Sequence, residues 1–205
     1  MKKQLLILVL LCFGSIAQSQ LLDHKFHIYG RYSMGTVQNV NYNNYSLDGE
    51  ILTKKNFGLN YNFDYITRKD SITQFHTSMG ILGAPVLFGI GLINAADVDT
   101  TNSGAFGILG GILLLVLPDG LSYHYSPTYK WDVSPYANIL GLDFVKNKKT
   151  DDFFLKYACS FGVKSTYLIN DLITATAFIE TRQAAQFGWA FGGGIGLGVV
   201  LGRHD

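Results

Sequence analysis

An antiparallel, up-and-down transmembrane β-barrel is the fold class this sequence predicts, with eight strands, or ten if residues 79–117 belong to the wall. Three observations carry it. The last segment alternates with a period of two: Phe187, Trp189, Phe191, Ile195, Leu197, Val199 and Leu201 share one parity. Gly188, Ala190, Gly192, Gly194, Gly196, Gly198 and Gly202 share the other, with Gly193 and Val200 breaking the rule. Successive side chains of a strand point to opposite faces, so this strand has one large apolar face and one almost bare face. Residues 57–65 alternate in the same way, with Phe57, Leu59, Tyr61, Phe63 and Tyr65 against Gly58, Asn60, Asn62 and Asp64. Charge is sparse, 15% against the usual quarter for a soluble domain, while 48% of residues are hydrophobic and 14% aromatic. Apolar surface must therefore go somewhere besides one core.

The first residues read as an export leader. Lys2 and Lys3 form a positive start, Leu5 to Phe13 is a short apolar run, and small residues follow. Cleavage is expected after Ala17 or Ser19, giving a signal peptide over residues 1–19 and a barrel domain over 20–205. The apolar run is too short for a spanning helix, which needs about 20 residues. Cys12 suggests a lipidation site, but Leu11 stands where a small residue is normally required. Without Lys2 and Lys3, 14 basic residues face 15 acidic ones, a net charge of −1. That balance gives no basic surface for a nucleic acid. With Cys12 removed, Cys159 is left without a partner for an intramolecular disulfide.

After the leader the chain reads as strands and turns. His27, Tyr29, Arg31 and Ser33 alternate with Phe26, Ile28, Gly30 and Tyr32. An Asn- and Tyr-rich stretch, 37–48, ends in the turn signal Asp48-Gly49. Polar residues at alternate positions of 57–65 would cost several kcal/mol each against lipid, so they are expected to face inward. Arg68-Lys69-Asp70-Ser71 reads as a loop. Residues 131–146 form a strand closed by the charged loop Lys146 to Asp152. Alternation resumes over 155–164, turns at Asn170-Asp171, and continues over 173–180 into the final strand.

Residues 79–96 and 105–117 are apolar on both parities and interrupted by glycine and Pro85. The alternation on either side favours strands here, which would bring the count to ten. A helical hairpin, or two membrane helices in an inner-membrane protein, is the alternative.

The leader ending Ser15-Ile16-Ala17-Gln18, the alternating Tyr/Phe-Asn strands and the Gly-rich run Phe191 to Gly198 together resemble the small outer-membrane β-barrel proteins of Bacteroidota-like bacteria. The resemblance implies residence in the outer membrane, membrane lipid and the barrel-assembly machinery as partners, and no assigned activity. The chain departs from such barrels at its end: Leu201-Gly202-Arg203-His204-Asp205 carries no terminal aromatic residue.

Candidate chemistry is thin. His124 and Ser126 have the His-x-Ser spacing of outer-membrane lipid A deacylases, with His as base and Ser as nucleophile on one face of a strand. Pro127 follows where that family has Asn, and neither Asp132 nor Asp143 is obviously placed to orient the histidine. The bland reading is a strand entering a turn at Ser126-Pro127-Thr128. Asp97, Asp99 and Asn102 lack the Gly and Glu that an EF-hand-type calcium loop requires. His24, His27, His76, His124 and His204 have no metal-ligand spacing, and the final glycines lack the Lys-Ser/Thr of a phosphate loop. Cys159 falls on an apolar parity. Tyr129, Trp131 and Trp189 suit interfacial girdle positions. No cofactor or metal is expected. The sequence thus predicts a non-enzymatic barrel with a structural or passive binding or channel role. Its alternatives are a lipid-modifying barrel enzyme and a soluble lipocalin-like binder, whose apolar parities at 57–65 and 187–201 would face inward.

Overall fold

The computed structural model describes residues 20–79, 89, 92, 107–111, 117–183 and 188–204. A short 3₁₀ helix, Gln20–Asp23, precedes β1, His24–Val37. The strands that follow are β2, Val40–Leu52; β3, Phe57–Arg68; β4, Ile72–Ser78; β5, Gly120–Tyr123; and β6, Tyr125–Thr128. The last four are β7, Trp131–Asn147; β8, Phe153–Leu168; β9, Ile173–Gln183; and β10, Trp189–Arg203. They form one antiparallel sheet, ordered β2-β1-β10-β9-β8-β7-β4-β3, which the β2–β3 pairing closes into a ring. Closure removes the unpaired edges that lipid could not solvate.

The ring has eight wall positions, because β4 and β5 share one. Thr77 of β4 stands opposite Phe63 of β3, and Gly120 of β5 stands opposite Asn60. Both segments run in the same direction between β3 and β7. The fourth strand is therefore one strand interrupted by residues 79–118. The expectation of two further wall strands is overturned where the structure describes this stretch: Met79, Gly89, Leu92 and residues 107–111 are helical. Residues 80–88, 90–91, 93–106 and 112–116, among them Asp97, Asp99 and Asn102, lie outside the described residues. The cause is visible in the composition. A run apolar on both parities has no period of two to commit it to a two-faced wall. Among the described residues no helix is long and apolar enough to cross a membrane.

Asp48-Gly49 is not a turn. It lies within β2, where Arg31 and Asn62 hold the Asp48 carboxylate inside the barrel. The reversal comes at Gln38 and Asn39, whose positive φ angles of 49° and 63° make a two-residue hairpin turn. Ser126-Pro127-Thr128 also stays in strand, and the chain reverses at Tyr129 and Lys130.

The parity reading of the walls holds. Phe57, Tyr65, Trp189, Phe191, Ile195, Leu197 and Leu201 are exposed on the outside. Asn60, Asn62 and Asp64 are buried inside. This orientation is opposite to the one a lipocalin-like binder needs. The bare face of β10 admits bulky neighbours: a Cβ on Gly192 would collide with the Tyr42 hydroxyl, and one on Gly198 with the Tyr29 side chain. On the outside, one cross-strand row reads Tyr32, Tyr45, Tyr65, Phe75, Phe144 across β1, β2, β3, β4 and β7. Near the termini, Trp131 pairs with Tyr167 and Phe57 packs edge-on against Tyr123, centroids 5.4 Å apart. Two aromatic belts bounding an apolar band are what a barrel wall in a bilayer requires.

Candidate functional site

Burial inside this barrel selects charge rather than hydrocarbon. Asp48, Glu50, Asp64, Asp119, Asp132, Asp143 and Glu180 are all buried, as are Arg31, Lys164 and Arg182. An isolated ion would be too costly there, so each must find an ion or hydrogen-bond partner, on a neighbouring strand or across the lumen.

The layer nearer the termini is organised by Glu50. Its Oε2 takes the Lys164 ammonium at 2.7 Å and faces His27 Nδ1 at 3.5 Å. Its Oε1 accepts from the Ser122 hydroxyl and lies 2.9 Å from His124 Nε2. The His124 ring is held on its other side by Asp132, with Nδ1 to Oδ2 at 2.8 Å. Asp132 in turn accepts from Ser126 at 2.9 Å and from Ser134. The layer toward the β1–β2 turn is organised by two arginines. Arg31 meets Asp48, Asp64 and Glu180. Arg182 meets Asp64 at 2.9 Å and Asp143 at 3.5 Å, while His76 Nδ1 sits 2.8 Å from Asp143. Tyrosines join the layers. Tyr136 donates to Glu180 at 2.8 Å, and Lys164 lies 3.4 Å from the Tyr29 hydroxyl.

Hydrocarbon closes both ends. Leu21 and Leu22 of the 3₁₀ helix pack with Leu52, Leu168 and Val200 across the mouth beside the termini. Gln20 pins that plug through its side chain to Asp171 at 2.6 Å and its backbone N–H to Tyr129 O at 2.9 Å. Val37, Tyr42, Ile66 and Ala190 close the opposite mouth. The void beneath that second cluster is only about 10 Å³, room for one water at most. A wider groove of about 880 Å³ lies on the outside, over Ala175 and Ala177 and between Tyr32, Ile195 and Tyr167.

His124 and Ser126 do share a face, and the face is the lumen. His124 is fully buried and Ser126 nearly so. Contrary to expectation, Asp132 does orient His124. Ser126 donates to Asp132, however, and not to the histidine. Two other hydroxyls lie at the ring: Ser122, 3.2 Å from Nε2, donates to Glu50, and Ser134, 3.1 Å from Nδ1, donates to Asp132. A Ser–His–Asp outline exists, but its serine proton is directed at a carboxylate and the plug lies above it. Asp143 orients a different histidine, His76. His24 bonds to Gln20 O, and His204 to Leu52 O, both near the termini. Among the described residues no group of His, Cys, Asp or Glu could hold a metal. Cys159 lies 3.7 Å from Gln183 Oε1. Arg31, Glu50, Lys164 and Arg182 carry the network, and sequence reasoning did not single them out. Each sits on the inward parity of its strand, which was the available signal.

The fold and this lumen together define a class: an eight-stranded transmembrane β-barrel, filled with side chains and sealed at both mouths. No family model matches the chain, and no curated protein matches it. Solved structures do. The chain is similar to neisserial surface protein A at 6% identity, covering 86% of this chain and 96% of that one, with a TM-score of 0.51. It also matches the N-terminal barrel domain of Pseudomonas aeruginosa OprF at 10% identity, covering 86% and 96%, TM-score 0.48. At these identities the likeness is one of fold.

Proposed function

We propose that the protein resides in the outer membrane, is exported by a leader cleaved after Ala17 or Ser19, and serves a structural or passive binding role. One observation carries this reading: the outer parity is apolar and belted by aromatics, while the inner parity is a paired network of charges under apolar plugs. Such a wall suits a bilayer, and such a lumen leaves no route for solute. Membrane lipid and the barrel-assembly machinery are the partners this reading brings. The inward placement of His124 and Ser126 weighs against the deacylase alternative, because a lipid substrate arrives at the outer face.

The test is heat-modifiability of the detergent-solubilised protein on a semi-native gel, with circular dichroism on the same sample. A fast unboiled band with a β spectrum is expected. Fractionation as a soluble species with no band shift would overturn the reading.

A further inference from the structure

One strip of the outer surface breaks the apolar pattern. Directly above the aromatic row, away from the termini, the next outward row reads Asn43, Thr67, Thr73, Lys146 across β2, β3, β4 and β7. Beside Asn43 lies an outward cavity of about 330 Å³, lined by Met34, Thr36, Asn41, Asn43 and Lys69. The Lys69 turn is fixed there by its backbone N–H to Asn41 O at 3.2 Å. The loop carrying Lys148 and Lys149 abuts the neighbouring turn through Lys148 N–H to Ser71 O at 3.0 Å. The acids nearby are engaged. Asp70 is held by Arg68 at 2.6 Å, and Asp152 accepts from Thr150. Asp151 pairs with Lys146 at 2.9 Å, both side chains more than half exposed, a contact that salt and competing anions exchange readily.

The row ends at β8, where Phe153 stands opposite Lys146 and packs on Phe144 with ring centroids 5.9 Å apart. Farther round at this end the outward positions are the exposed Phe161, Trp189 and Phe191 with Thr181 and Gln183 between them, and none of these five is cationic. Polar and cationic side chains on a lipid-facing parity, seated on an aromatic row, match the boundary between acyl chains and charged headgroups. The aromatic row from β1 to β7 crosses four strand spacings, roughly 19 Å, wider than a single acyl chain needs.

Building on the membrane-barrel reading above, we infer that this strip is a binding site for a membrane lipid that carries phosphate on a polyhydroxyl headgroup and has several acyl chains. Lys69 and Lys146 take the phosphates from two sides. Asn43, Thr67 and Thr73 hydrogen-bond the hydroxyls. Tyr45, Tyr65, Phe75 and Phe144 receive the chains.

The experiment is native mass spectrometry of the detergent-purified protein titrated with diphosphoryl lipid A, and separately with the same lipid dephosphorylated. Three proteins are compared: the parent, the double variant K69Q/K146Q, and a double variant at the other rim, K54Q/K55Q. A heat-modifiability gel is run on each. Retention of diphosphoryl lipid A is expected to fall about tenfold in K69Q/K146Q and to be unchanged in K54Q/K55Q. The dephosphorylated lipid should be retained weakly by all three. Equal retention of both lipids, or equal loss in both variants, would overturn the site while a shifted gel band left the barrel standing. Absence of the shifted band in the parent would overturn the barrel and the site with it.

Discussion

Asp119 follows Ser78 in the barrel wall although residues 79–118 lie between them in the chain. Thr77 stands opposite Phe63 and Gly120 opposite Asn60, so the pairing with β3 is continuous across the break. Asp119 closes the seam on both sides. Its N–H donates to Asn60 O at 2.7 Å, and its carboxylate accepts the Asn62 N–H at 2.6 Å. Its carbonyl accepts from Ile139 and Leu140 at 2.8 and 2.9 Å, where β7 bulges.

Two outcomes follow from that seam. Joining Ser78 directly to Asp119 keeps both register and parity, so the shortened protein is expected to give the same fast unboiled gel band. Asp119→Ala leaves the Asn62 amide buried without an acceptor, at a cost of about 1–3 kcal/mol. A lower urea midpoint in micelles measures it. Failure of the shortened protein to form a heat-modifiable species would refute the continuous-strand account.

Glu50 holds a cation and two imidazoles in the lumen, so its substitutions should be among the most damaging. Glu50→Gln leaves the Lys164 ammonium buried without its carboxylate, which removal of one partner of a buried pair prices at about 3–5 kcal/mol. The double variant E50Q/K164M is expected to recover much of that loss, because no lone charge then remains. Unfolding midpoints of the two single variants and the double variant form the cycle that decides it. An additive result would mean that the two groups are independent.

The inward character of Asn60, Asn62 and Asp64 was legible because their strand alternates perfectly and lipid forbids polar groups. The Gly parity of β10 was legible for the same reason. The pairings of Arg31 and Arg182 were not. They cross the lumen between strands far apart in sequence, and a period of two fixes the face of a residue but not its opposite number. Asp48-Gly49 misled because turn propensity is local, whereas Arg31 on the neighbouring strand decides where Asp48 goes. The interrupted fourth strand was hidden for a further reason. Its first half, Ile72–Ser78, is too short to span alone, and its second is split at His124 into Gly120–Tyr123 and Tyr125–Thr128.

Ser126 gives a direct test of the enzymatic alternative. Its hydroxyl bonds to Asp132 inside the wall, so Ser126→Ala should cost about 1 kcal/mol of stability and leave membrane lipid acylation unchanged. Mass spectra of extracted lipid A from cells carrying either form provide the comparison. A change in acyl-chain number that depends on Ser126 would establish the deacylase and displace the passive role.

The plugs make the strongest demand on function, since a channel role requires an open lumen. Leu21, Leu22, Leu52, Leu168 and Val200 block one mouth, and Val37, Tyr42, Ile66 and Ala190 the other. Between them Arg31 and Arg182 bridge carboxylates from β2, β3, β7 and β9, so an ion entering would have to break pairs on several strands at once. Planar bilayers containing the protein are therefore expected to show no unitary current steps. Leu21→Ala with Leu22→Ala opens the first plug but leaves the charged layers in place. That variant should lose stability, about 2–5 kcal/mol for each leucine, without gaining conductance. Steps in the parent protein would show that the plugs open in the membrane, and steps in the variant alone would show that the 3₁₀ helix is the barrier and the charge network is not.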